Sequence, residues 1–100
     1  MNKIRMGRLS ELPPGAALEK RLLARRVVVI NDNGAVFAIE GDCKHMKASL
    51  ASGRFADGTV TCSWHGWRYD LATGECLTNP GFRLKTYPVE IVDDDIYVHM

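Results

Sequence analysis

Two short stretches of this chain each place a cysteine close to a histidine: Cys43 and His45 in "GDCKHMKASL", and Cys62 and His65 in "VTCSWHGWRYD". Written as one pattern, Cys43-x-His45 and Cys62-x-x-His65 are separated by sixteen residues. Either pair alone could be a buried thiol beside a satisfied histidine. Two such pairs, each among turn-forming residues, could bring two thiolates and two imidazoles to one site. Soft sulfur and borderline nitrogen donors suit zinc or iron and exclude calcium and magnesium, which want oxygen. A tetrahedral zinc site usually draws like ligands from each short knuckle. Here each knuckle is mixed, as a two-iron cluster requires if both cysteines hold one iron and both histidines the other.

The elements that must position these loops read as strands. Apolar residues come in short β-branched runs, broken every ten residues or so by turn chemistry. "RRVVVI", "NDNG" and "AVFAI" predict a hairpin turning at Asn33-Gly34. "ELPPGA" is a turn, and "KRLLARR" is the solvated side of a strand or turn. From Gly41 to Gly81 the sequence is glycine-rich and loop-rich, and only Thr59 to Cys62 and Trp67 to Asp70 have strand character. "FRLKTYPVEI" and "IYVHM" resume the strand pattern across "VDDD", and the two ends of the chain should pair. No helix with a sustained apolar stripe is predicted, so the fold class is all-β.

Bulk properties narrow the functions. One hundred residues fit one domain, and 46% hydrophobic with 25% charged residues is an ordinary globular composition. A formal net charge of +1 argues against a dedicated nucleic-acid binder. The longest apolar run, Val27 to Ile30, is too short to cross a bilayer, and no secretory signal is visible. Three cysteines, an odd number, do not make a disulfide framework. A cytoplasmic protein without a membrane anchor is the expectation.

"CSWHGWRYDLATGECL" resembles the second cluster loop of Rieske ferredoxins and of the Rieske domains in ring-hydroxylating oxygenases, and "CKHMKASLASG" resembles the first. The likeness continues through "YPVEIVDDDIYVHM" and back to "LPPG". It implies a single Rieske [2Fe-2S] domain over 1–100, with an antiparallel β-sandwich base and a loop-rich cluster-binding subdomain at about 41–81. Carried over residue by residue, it makes Cys43 and Cys62 thiolate ligands of one iron, and His45 and His65 ligands of the other. Gly66 lets the loop turn closely, and Pro80 matches a proline-containing segment over the cluster's other side.

The sequence also departs from the Rieske proteins of cytochrome bc complexes. It has Ala48 and Trp64 where those proteins carry two further, disulfide-linked cysteines, and Trp67 where they carry a hydrogen-bonding serine. Losing a hydrogen bond to a cluster sulfur lowers the potential, so the lower half of the family's span of about −150 to +300 mV is expected. Tyr69 works the other way, because it matches a tyrosine that bonds a ligand sulfur in the high-potential branch. Imidazole ligation should couple the potential to pH in the alkaline range. Cys76 reads as a structural thiol and His99 as a solvated strand residue. Of Trp64 and Trp67, one should shield the cluster and the other be partly exposed.

The resemblance implies an electron carrier rather than an enzyme. An oxygenase also needs a mononuclear iron held by two histidines and a carboxylate, and only His99 is left to supply one. There is no nucleotide fingerprint for flavin or nicotinamide. The implied partners are a flavin-dependent NAD(P)H reductase and a terminal oxygenase of the aromatic-ring-hydroxylating type, met at the cluster tip. The small subunit of assimilatory nitrite reductase, a Rieske domain cut from a larger oxygenase, and a zinc-binding interaction module stand as alternatives. Asp93 to Asp95 read as a solvated turn, or as a patch steering a basic partner.

Overall fold

A computed structural model describes residues 3–22, 25–43, 49–63 and 66–100. His45, His65, Trp64 and Ala48 lie outside the described residues. Ten strands form three antiparallel sheets, with no α-helix among the described residues. The first sheet has the order β1 (Lys3–Arg8), β10 (Asp95–His99), β9 (Val89–Val92). The second runs β2 (Ala17–Arg21), β3 (Arg26–Asp32), β4 (Ala35–Glu40), β8 (Thr86–Tyr87), and the third β5 (Arg54–Ala56), β6 (Thr59–Thr61), β7 (Arg68–Asp70).

Strand β3 explains the architecture. Its run Val27, Val28, Val29, Ile30 is fully buried, as expected of a strand covered on both faces. Successive side chains point to opposite faces, so Val27 and Val29 pack with Ala38, Leu12, Ile96 and Val98. Val28 and Ile30 pack instead with Ile39, Leu50, Val60, Tyr69, Leu71, Leu84 and all three cysteines. The first core joins two sheets into the sandwich base, and the second seats the loop-rich subdomain on that base.

The hairpin β3–β4 turns at Asn33 (φ 53°) and Gly34 (φ 100°), and β1 pairs with β10, both as the sequence predicts. Two strand readings need correction. Strand β5 was not expected, yet it pairs with β6 across Asp57-Gly58, whose positive φ values of 51° and 76° are those of an Asp-Gly hairpin turn. "FRLKTYPVEI" is not one strand. Pro88, which has no N–H to give a ladder, falls where β8 ends and β9 begins, and the two join different sheets.

Asp93 to Asp95 turn back into the fold. The Asp94 carboxylate accepts from the Ser10 N–H and hydroxyl at 3.1 and 2.8 Å, and Asp95 pairs with Arg5 at 2.9 Å. His99 is half-buried on β10, with Nε2 2.7 Å from Glu90 Oε1. That bond first, and the charge of Lys3 second, hold the half-exposed Glu90 carboxyl below its ordinary pKa. A carboxyl whose pKa is lower folded than unfolded adds stability above its unfolded pKa and loses it as pH falls through the folded one. Melts of wild type and Glu90→Gln should therefore differ slightly at neutral pH and coincide in acid below the carboxylate range.

Candidate metal centre

Cys43 follows directly on a closed neck. Asp42 and Ser49 form an antiparallel bridge, Leu50 N–H donates to Gly41 C=O at 2.8 Å, and Ser49 Oγ accepts from Ala51 N–H at 3.3 Å. An ionic clamp reinforces the neck from β2 and β3. Arg26 Nη1 stands 2.9 Å from Asp42 Oδ1 and its Nε 2.8 Å from Glu19 Oε1, while Ser49 Oγ donates to Glu19 Oε2 at 3.0 Å. The Nε contact is an ion pair by distance but lies too far off line to be a hydrogen bond.

These side chains are 18 to 32% exposed, between surface pairs worth about 0–1 kcal/mol and buried ones costing about 3–5 to break. Arg26→Ala should loosen the neck by about 1 kcal/mol, or roughly fivefold in an equilibrium. The check is bleaching of the visible absorption under a chelator, expected several-fold faster in Arg26→Ala and intermediate in Arg26→Lys. An unchanged bleaching rate would show that the clamp does not hold this loop.

The second loop is shorter. Strands β6 and β7 flank it, Cys62 N–H donates to Trp67 C=O at 2.7 Å, and Gly66 makes the turn at φ 71°. A cleft of about 250 Å³, lined by Gly53, Arg54, Thr61, Cys62 and Ser63, reaches this cysteine from the side of β5 and β6. The third segment, 77–82, returns against the second loop. Leu77 N–H donates to Arg68 C=O at 2.7 Å, Cys76 N–H to Phe82 C=O at 3.0 Å, and Arg68 N–H to Thr78 Oγ1 at 3.2 Å. Gly74 anchors this return, because a Cβ there would lie 2.1 Å from Leu84 O and the backbone is at φ 81°.

Cys43 and Cys62 are each 1% exposed and share one core with Tyr69. The fully buried Tyr69 hydroxyl lies 3.2 Å from Cys43 Sγ. From β7, beside the second loop, it thus reaches the cysteine that opens the first. None of the three cysteines is in a disulfide. Cys76 is buried too, with Sγ 3.5 Å from Thr78 Oγ1. Among the described residues no three His, Cys, Asp or Glu side chains come together closely enough to hold a metal ion; the two histidines of the motif are outside that set. Trp67 is half-buried, and its ring meets Phe82 edge-on at 5.3 Å between centroids. Sequence reasoning did not single out Phe82 or Leu77, which are 44% and 46% exposed. Nor did it find the Arg26–Asp42 pair, whose partners are joined only by the fold.

Residues 2–88 match the Rieske [2Fe-2S] domain. The chain belongs to the Rieske family. Among its relatives is the biphenyl dioxygenase ferredoxin subunit of Pseudomonas sp. (strain KKS102), 36% identical over 90% of this chain and 84% of that one. The 3-phenylpropionate/cinnamic acid dioxygenase ferredoxin subunit of Photorhabdus laumondii is 34% identical over 98% and 94%. The solved Sphingomonas yanoikuyae B1 ferredoxin superposes with a TM-score of 0.88 at 29% identity, covering 99% of each chain. This Rieske chain carries a [2Fe-2S] cluster and serves as an electron carrier rather than as an enzyme. Two buried thiols at the mouths of two short loops, one already met by a phenol, suit the sulfur side of such a cluster.

Proposed function

We propose that Cys43 and Cys62 hold one iron as thiolates and that His45 and His65 hold the other, and that the protein passes single electrons from a flavin-dependent NAD(P)H reductase to a terminal oxygenase of the ring-hydroxylating type. The observation that carries the sulfur half of the assignment is the Tyr69 hydroxyl 3.2 Å from the buried Cys43 Sγ. A hydroxyl buried there is well placed to donate to a thiolate, whereas an inert core thiol needs no such donor. The bound cluster supplies one-electron chemistry. The chain holds the sulfurs in its core, away from water, and leaves the mouths of loops two and three toward a partner. The pairing of β1 with β10 supports one domain over 1–100, with its cluster-binding part at about 41–81.

The donor and acceptor are proposed from the relatives, which are named as ferredoxin subunits of dioxygenases. No helix of the described residues is long and apolar enough to cross a membrane, and three cysteines outside any disulfide fit the reducing cytoplasm proposed as its location. Reconstitution tests the shuttle. Purified reductase and terminal oxygenase of a biphenyl system, given NADH and biphenyl, should form product only when this protein is added. Absence of product, with a protein that dithionite reduces normally, would remove the oxygenase as acceptor.

The reduced form should give the rhombic low-temperature EPR signal of a histidine-ligated two-iron cluster. A colourless protein containing stoichiometric zinc would instead overturn the ligand assignment.

A further inference from the structure

Leu77 and Phe82 are large, apolar and nearly half-exposed, and the backbone and ring contacts of segment 77–82 weld them to the second cluster loop. Single exposed apolar residues need no explanation. These two stand at the two ends of segment 77–82, which the Cys76 N–H to Phe82 C=O bond at 3.0 Å draws together beside the second loop. Their rim is basic. Arg68 and Arg83 are exposed, and neither 62–68 nor 77–85 contains a carboxylate, although the chain has twelve. Arg68 makes no ion pair among the described residues. Arg83 has Glu75 at 3.8 Å, in a pair whose side chains are at least 60% exposed and so is weak and screened. With a net charge of only +1, this is a separation of charge rather than an excess. Two of the three acids in "VDDD" are tied to Ser10 and Arg5 at the other sheet.

We propose that Leu77 and Phe82, rimmed by Arg68 and Arg83, form the docking surface for the protein that accepts the electron, and that the acceptor's matching face is apolar with a rim of carboxylates. The proposal rests on the carrier reading above and names the partner's chemistry. An apolar centre supplies fit, and a charged rim supplies rapid, salt-sensitive encounter, which suits a complex that must form and part at every turnover. The acidic hairpin then has no steering role.

The test needs no cognate partner. The intact protein, reduced by dithionite and freed of excess reductant, is mixed in a stopped-flow instrument with one of two acceptors. Plastocyanin carries an acidic patch, and cytochrome c a basic face; each takes one electron at its oxidised metal. Plastocyanin should be reduced fast at low salt and more slowly as salt rises, while cytochrome c should show the opposite trend. Arg68→Gln/Arg83→Gln should slow plastocyanin about three- to tenfold at low salt and little at high salt. Arg8→Gln/Arg21→Gln, an equal charge change on exposed residues of β1 and β2, should not. Phe82→Ser should slow plastocyanin at every salt concentration.

Wild-type rates for the double arginine variant, or a cytochrome c reaction that is fast and slows with salt, would overturn the proposal. A protein that dithionite cannot reduce would overturn the carrier reading and this proposal with it. That outcome is distinct because no acceptor kinetics would then exist.

Discussion

Cys62→Ser protein is expected to purify without visible colour and to give no EPR signal after dithionite, while Cys76→Ser keeps both at wild-type strength. The two cysteines look alike by burial, at 1% and 3% exposed in the same core. Their positions differ. Cys62 opens the tight β6–β7 loop with its N–H bonded to Trp67 C=O, whereas Cys76 bridges Tyr69 within the return segment and rests against Thr78.

A serine hydroxyl keeps its proton at neutral pH and is a hard, poor substitute for a thiolate on iron, so the expected loss is complete rather than graded. Burying an unsatisfied hydroxyl costs about 1–3 kcal/mol, enough to trouble a small domain. Cys62→Ala, which buries no polar atom, therefore belongs beside it. Both should keep the far-UV circular dichroism of the β-sandwich, since Val27, Val29, Ala38, Ile96 and Val98 form a separate core. Retained colour in Cys62→Ser together with lost colour in Cys76→Ser would move the ligand from one thiol to the other.

What could be read from the chain alone followed the range of each interaction. The β3–β4 hairpin was legible because Asn33-Gly34 between two β-branched runs is a local signal. The same signal stood at Asp57-Gly58, but the strands beside it are three residues each, too short for a periodicity to show. The Val27 to Ile30 run announced a β-branched strand without saying that it is buried on both faces or that its alternate side chains serve two different cores. The strand read straight through Pro88 was misjudged, because only the assembled sheets reveal that β8 ends and the chain changes layer there.

The ligand motif was legible as spacing, and the fold brings its two cysteines into one core. The clamp of Glu19, Arg26 and Asp42 was not legible, since nothing in the local sequence joins residues from β2, β3 and the loop neck. The basic rim lay in plain sight as composition but acquired meaning only when Trp67 met Phe82 and joined two loops into one surface.

Tyr69→Phe should leave the cluster intact and lower its midpoint potential. The side chain is fully buried in the shared core, so the phenyl ring keeps the packing and only the hydroxyl 3.2 Å from Cys43 Sγ is lost. With Cys43 as a thiolate ligand, that hydroxyl donates to a sulfur that becomes more negative on reduction. The bond is then stronger in the reduced state, and its removal penalises that state more. A difference of about 1 kcal/mol, typical of one hydrogen bond, corresponds to roughly 40 mV at about 59 mV per tenfold for one electron.

Trp67 has no hydroxyl to offer where the high-potential relatives have a serine, so Tyr69 is the donor whose loss can be read cleanly. Tyr97→Phe, in the other sheet beneath Lys3, changes the same atom away from the sulfurs and should leave the potential where it is. A spectroelectrochemical titration of both variants decides the matter. A shift in Tyr69→Phe alone ties the Tyr69 hydroxyl to the sulfur that carries the charge. Unchanged midpoints in both, with unchanged EPR signals, would mean that Cys43 does not bear the charge of the reduced state and would remove the main support for its place among the ligands.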